Sequence, residues 1–147
     1  LATIYRPLNN KFLNPFMEYL RKKYICKHQI KKGLNGVRDA ISFIKKDFSI
    51  ALMIDQRVSE GEKIDFFGKP AFTTTLPAQL SIKYNLPIVP VFIERSIDNN
   101  FKIKFFREIR PETIRNKTEL TIKLNKLLED LITRNPNEWI WTHNRWK

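Results

Sequence analysis

The sequence predicts an α/β fold, a mixed sheet flanked by helices, on three observations. Apolar residues recur at helical spacing, most clearly as the stripe Leu120, Leu124, Leu127, Leu128 and Leu131. Two short apolar runs, SIALMI at 49–54 and IVPVFI at 88–93, read as buried strands. The two kinds of segment alternate, and helix–strand–helix–strand order sets helices against a sheet. With no repeat and no low-complexity linker, one domain over 1–147 is expected.

Each element follows in turn. ATIY is a short extended run, and Pro7 holds Arg6 away from helical geometry. Asn14-Pro15 is a cap-plus-first-turn signal, continued by FMEYLRKKY as an amphipathic helix. Gly33 and Gly36 punctuate the chain, and Val37 to Lys46 puts Val37, Ile41 and Ile44 on one helical face. The SIALMI strand ends at Asp55. From Ile64 to Phe72, Gly68-Lys69-Pro70 reads as a turn between two extended pieces.

Thr73, Thr74 and Thr75 precede LPAQLSIKY, a helix with a hydroxyl cap and Pro77 in its first turn, ended by Asn85-Leu86-Pro87. Pro90 removes a ladder donor from the IVPVFI strand, which places that strand at an edge or gives it a bulge. FKIKFF at 101–106 pairs with it through Asp98-Asn99-Asn100, with core on one face and solvated lysine on the other. Thr118 to Thr133 is the clearest helix, stopped by Asn135-Pro136, and EWIWTHNRWK closes the chain.

Composition bounds the function. With 147 residues, 42% hydrophobic and 12% aromatic, the chain can bury a core and is not disordered. LATIYRPLNN has no signal-peptide pattern, and a start at Leu1 suggests a processed product or a fragment. No stretch approaches the roughly 18–20 apolar residues that span a bilayer. One cysteine, Cys26, excludes a disulfide framework and a Cys-based zinc site and fits a reducing compartment. Lys22, Lys23 and Lys27 lie near it, yet no His–Asn partner pattern accompanies it, so it reads as structural. His28 and His143 have no second His at helical spacing, which argues against a metal site.

The net charge of +12 attracts phosphates, whether on nucleic acid, anionic lipid or an acidic carrier protein, and does not choose among them. Arg21-Lys22-Lys23, Lys31-Lys32 and Lys45-Lys46 serve equally as solvated helix faces.

Ligands of open α/β sheets gather beyond the carboxyl ends of strands, and three places qualify. Arg6 can fork onto a phosphate or a developing oxyanion, or serve as a surface arginine. Asp55, Gln56 and Arg57 can orient a hydroxyl or bind a phosphate, or form a polar turn. Thr73 to Thr75, Thr74 included, can offer hydroxyls and helix amides to an anion, or simply cap a helix. Trp139, Trp141, His143 and Trp146 suit a membrane interface. Trp139 and Trp141 read first as core, and His143 as a hydrogen-bonded structural histidine.

These pieces together resemble the lipid A biosynthesis late acyltransferases. The stretches that carry the resemblance are Tyr5-Arg6-Pro7-Leu8-Asn9-Asn10, Ile54-Asp55-Gln56, Phe66-Phe67-Gly68-Lys69-Pro70-Ala71 and Pro77-Ala78. Pro87-Ile88-Val89-Pro90-Val91 and Trp139-Ile140-Trp141-Thr142-His143-Asn144-Arg145-Trp146-Lys147 complete the series. The resemblance runs in order from end to end, and a collinear series is more specific than any motif in it. It implies a glycerophosphate-acyltransferase-like fold and transfer of an acyl chain from acyl carrier protein to a hydroxyl of a lipid A precursor. No cofactor is implied.

In that family the His of an His-x4-Asp/Glu motif is the general base, because a hydroxyl is a poor nucleophile until a base takes its proton. No such motif occurs here: Gly33 stands five positions after His28, and the chain ends before a fifth residue after His143. The resemblance therefore implies an N-terminally truncated, C-terminal portion, inactive alone. It assigns Arg6 to the phosphate or oxyanion contact, Asp55 and Gln56 to the acceptor site, and Pro90 to architecture. The implied partners are acyl carrier protein, the phosphorylated glycolipid and the membrane surface, at the cytoplasmic face of the bacterial inner membrane.

The rival from another class is a basic nucleic-acid-binding module. Phe101, Phe105 and Phe106 alternating with Lys102 and Lys104 favour it, and the want of an RNP, KH or helix-turn-helix signature opposes it.

Overall fold

The computed structural model describes residues 1–114 and 116–147. They divide into two compact units, Leu1–Met53 and Ile54–Lys147. The fold is mixed α/β, with parallel and antiparallel pairings spread over three small sheets.

In the first unit β1 (Ala2–Tyr5) is the central strand, with β2 (His28–Lys31) and β3 (Ile50–Ala51) parallel on either side. Helix α1 (Leu13–Tyr24) connects β1 to β2, and α2 (Leu34–Ile44) connects β2 to β3. Ala2, Ile30 and Ala40 form the core, with Ile4, Phe43, Phe48 and Ile50 packed around them. Gly36 lets α2 close on the sheet: a Cβ there would meet the Lys31 carbonyl oxygen at 2.0 Å.

The SIALMI run is a shorter strand than its apolar residues suggested. Only Ile50 and Ala51 pair, in register with Ala2 and Thr3. At the sheet edge a strand has a ladder on one side only, and this one ends after two residues. The α1 cap also differs from expectation. Asn14 lies inside the helix, and Asn10 Oδ1 takes its place by accepting from the Phe12 and Leu13 amides at 3.0 and 3.1 Å.

In the second unit β4 (Glu62–Phe66) and β5 (Lys69–Thr73) form a hairpin. Its two-residue turn is Phe67-Gly68, one residue earlier than the Gly68-Lys69-Pro70 reading, and both residues have positive φ (54° and 71°). Positive φ at both turn positions matches the right-handed strand twist, and Gly68 supplies it without strain. Helix α3 (Leu76–Tyr84) starts and stops as its signals require, with Pro77 in the first turn and Asn85 left-handed at the end. Strands β6 (Val91–Arg95) and β7 (Phe101–Phe105) make the second hairpin, and Pro90 sits just ahead of β6.

Helix α4 (Lys117–Arg134) is capped by Asn116, whose side chain accepts from the Thr118 amide at 2.9 Å. It buries Leu120, Leu124, Leu131 and Ile132. One cluster joins Phe66, Ala71 and Ile132 to Leu128, Trp139 and Trp146, and another joins Ala78, Ile114 and Leu120 to Ile82, Ile88 and Ile109.

The β6–β7 hairpin corrects the expectation of an apolar face in the core. Phe101, Ile103 and Phe105 are 69%, 55% and 74% exposed, whereas Lys104 is half-buried. The polar face turns inward because Glu94 gathers partners there. Its carboxylate pairs with Lys104 at 2.6 Å and accepts from Asn135 Nδ2 at 3.5 Å. Glu138 Oε1 accepts from the Arg95 amide at 3.1 Å beside them.

Candidate functional site

Arg6 belongs to the first unit, and Asp55, Gln56, Arg57 and Thr74 belong to the second.

Arg6 stands exposed immediately beyond the carboxyl end of β1. The turn that carries it is fixed from both sides. On one side Tyr5 is held by α1: its hydroxyl bonds to Glu18, and the Arg21 guanidinium lies 5.0 Å from the centre of its ring. On the other side the Leu8 amide donates to Asn14 Oδ1 at 2.8 Å. Glu18 ties these contacts together by accepting from Asn14 Nδ2 at 2.7 Å and pairing with Lys31 Nζ at 3.0 Å.

This network explains two displaced acidities. The Lys31, Tyr5 and Asn14 donors hold the Glu18 carboxyl down at about 2. Burial, then the hydrogen bond and charge of Glu18, push the Tyr5 hydroxyl up to about 12 against the opposing pull of Arg21. The Lys32 amide donates to the Tyr5 carbonyl at 2.9 Å, which places Lys31 and Lys32 at the same carboxyl end of the sheet as Arg6. An open depression follows at the start of α2, lined by Lys31, Lys32, Asn35 and Asp39 among others. Lys31 is already paired with Glu18, so Arg6 and Lys32 are the cations at these strand ends that suit an anionic ligand.

In the second unit Asp55 is half-buried, and its Oδ1 has no hydrogen-bond partner among the described residues. Gln56 is exposed. The Arg57 guanidinium lies 5.2 Å from the Phe72 ring, and its amide donates to His143 Nε2 at 2.9 Å. His143 is thus a hydrogen-bonded histidine, as its sequence context suggested. Thr74 Oγ1 accepts from the Leu76 amide at 3.3 Å, so this hydroxyl caps the start of α3, while Thr75 Oγ1 accepts from Gln79 Nε2 at 2.8 Å.

Arg145 is the residue whose role the sequence did not single out. It is fully buried, with its guanidinium 4.0 Å over the Phe66 ring. Nη2 donates to Thr73 Oγ1 at 3.0 Å and to Asn125 Oδ1 at 3.5 Å, while Nε and Nη1 have no partner among the described residues. Burial pulls its pKa down to about 10, opposed by the charges of Asp55 and Glu129, so it stays protonated at neutral pH. Its carbonyl accepts from the Phe72 amide at 3.1 Å, anchoring the last residues to β5. The one hint in the sequence is a basic residue set among aromatics in THNRWK.

The last aromatics divide. Trp139 and Trp146 pack on Phe66, with Trp146 Nε1 donating to the Phe66 carbonyl at 3.2 Å. Trp141, expected in the core, is 55% exposed, because its indole N–H is drawn out to the Pro136 carbonyl at 2.8 Å. His28 packs against Phe43 and Phe48, and Cys26 Sγ donates to the Leu1 carbonyl at 3.3 Å. Among the described residues no group of three or more His, Cys, Asp and Glu is placed to hold a metal, and no helix is long and apolar enough to cross a membrane.

The first unit is thus a parallel three-stranded α/β unit with Arg6 and Lys32 beyond the carboxyl ends of adjacent strands. The family described as bacterial lipid A biosynthesis acyltransferase matches residues 1–147, and the chain belongs to that family. Its function is therefore of the acyltransferase type, in lipid A and lipopolysaccharide biosynthesis. No curated protein matches it.

Proposed function

We propose that this chain serves the transfer of a fatty acyl group from an acyl carrier protein thioester to a hydroxyl of a phosphorylated lipid A precursor. The reaction takes place at the cytoplasmic face of the bacterial inner membrane and uses no cofactor. The family match along the whole chain carries the reading.

Arg6 contacts the substrate phosphate or the oxyanion formed when the acceptor oxygen attacks the thioester carbonyl, where a fixed positive donor acts most strongly. Asp55, whose buried Oδ1 has no hydrogen-bond partner among the described residues, orients the acceptor by accepting a hydrogen bond, together with Gln56 and Arg57. Thr74 borders that acceptor site. The general base comes from outside these 147 residues, which hold no His-x4-Asp/Glu, so the chain alone does not turn over. Exposed Phe101 and Phe105 give base stacking its one point of support. Val91, Ile93 and Ile103 share that face with Arg95, whose guanidinium lies 6.0 Å from the Phe101 ring, so three of its six side chains are aliphatic and available to acyl chains.

The test is an acylation assay with acyl carrier protein thioester and phosphorylated lipid acceptor, run on this chain and on the same chain carrying its native upstream coding sequence. The upstream arm acylates, and Arg6→Ala there lowers kcat/KM roughly a hundredfold or more, as loss of one oxyanion donor does. Turnover by the chain alone refutes the assignment of the base, and no acylation in either arm refutes the reading as a whole.

A further inference from the structure

Helix α1 carries a row of large apolar side chains on its exposed face. Its polar residues Asn14, Glu18 and Arg21 face the sheet and make contacts with Leu8, Tyr5 and Lys31. Met17 and Leu20 are half-buried, whereas the apolar residues at 12, 13, 16 and 19, beginning with the N-cap Phe12, are exposed. Phe12 is 96% exposed, Phe16 and Tyr19 are 56% each, and Leu13 is 46%, while no residue of the helix is buried. Positions 12, 16 and 19 fall on one face at helical spacing, and Lys23 continues the same line. A row of large apolar side chains is unusual on the outer face of a water-facing helix, which is normally polar.

The rim of this face is basic. Lys11 and Lys22 flank it, and Lys23 lies 5.5 Å from the Tyr19 ring and 5.1 Å from the Tyr24 ring. An aromatic stripe edged by lysines is the pattern of a helix lying in the plane of a bilayer interface, where rings reach the acyl boundary and ammonium groups meet phosphates. A protein partner suits it less well. Four side chains on one helix fall well short of the ~1,200 Å² of a stable protein interface.

We propose that α1 docks the protein on an anionic lipid surface, with Phe12, Leu13, Phe16 and Tyr19 entering the bilayer and Lys11, Lys22 and Lys23 meeting its phosphates. This deepens the functional reading above, on which it rests for a lipid substrate, by assigning the membrane contact to one helix face.

Sedimentation with vesicles of phosphatidylcholine alone, or mixed equally with phosphatidylglycerol, tests it at matched salt. The chain binds the mixed vesicles and binds the neutral ones weakly. Phe12→Ser with Phe16→Ser lowers partitioning about tenfold or more, the effect of withdrawing aromatic area from lipid. Lys22→Glu with Lys23→Glu lowers it roughly tenfold on the mixed vesicles. In Phe16→Trp the added fluorescence shifts to the blue on binding and is quenched by lipids brominated on their acyl chains. This reading does not depend on how the serine variant folds.

Absence of both the shift and the quenching overturns the proposal. So does a folded serine variant, checked by circular dichroism, that binds vesicles like the parent but loses acyl carrier protein. Acylation of detergent-dispersed acceptor by the upstream-extended protein is scored separately, so a failed docking helix and a failed acyltransferase reading give different results.

Discussion

Replacing Glu18 by Gln removes one charge from the network that holds Tyr5 and the Arg6 turn, with almost no change of volume. The carboxyl is held at about 2 against an ordinary 4.5. At ~1.4 kcal/mol for each pH unit, a fully enclosed group would contribute roughly 3 kcal/mol. The Lys31 side chain is 61% exposed, so water screens the pair, and about 1 kcal/mol is the realistic figure. The folded value lies below the unfolded one, so this stability is present above 4.5 and is lost as pH falls toward 2. Urea unfolding of both chains across that range measures it. The parent exceeds Glu18→Gln by about 1 kcal/mol near neutrality, and the gap closes through the acid window. A gap that persists unchanged to the acid end refutes the electrostatic account, as does equal stability at neutral pH.

Tyr5→Phe probes the same network from the alkaline side. The parent loses stability as pH rises from 10 toward about 12, because the unfolded phenol ionises before the folded one, and the variant lacks that loss. Phenolate absorbance of the folded parent with Tyr5 ionising at its ordinary value contradicts this. In the second unit Arg145→Ala destabilises by about 3–5 kcal/mol, since it empties the space over Phe66 and strips Thr73 and Asn125 of a donor. Arg145→Met costs less, because Met refills that space and removes a desolvated charge. Urea melts that rank Ala equal to Met contradict the packing argument.

The elements that the sequence reveals are those whose signals are local. Pro77 and Asn85 bound α3, the stripe from Leu120 to Leu131 marks α4, and the alternation of FKIKFF marks β7. What escaped depends on partners distant in the chain. The short pairing of β3 is decided by where it meets β1, with two residues in register against the four of β2, and the inward turn of Lys104 depends on Glu94 meeting Asn135 at the end of α4. At the site, Arg6 is visible because Pro7 sets it off at a strand end. Arg145 is not, since a cation's burial is decided by Phe66, Thr73 and Asn125 closing around it. The orientation of α1 is hidden for the same reason: periodicity gives its two faces, and only Tyr5 and Lys31 decide which one turns inward.

Both units share a physical theme, charge turned inward and apolar surface turned outward. In the first, Glu18 and Arg21 face the sheet while Phe12 and Phe16 face out. In the second, Glu94 and Lys104 turn in while Phe101, Ile103 and Phe105 turn out, and Arg145 is enclosed entirely. In water this is costly, since exposed apolar patches promote association and enclosed charges lose hydration. If α1 docks on lipid as proposed, the medium beside that face is itself apolar and its exposed rings lose that cost. The Glu18 charge, meanwhile, holds Tyr5 and with it the turn that carries Arg6.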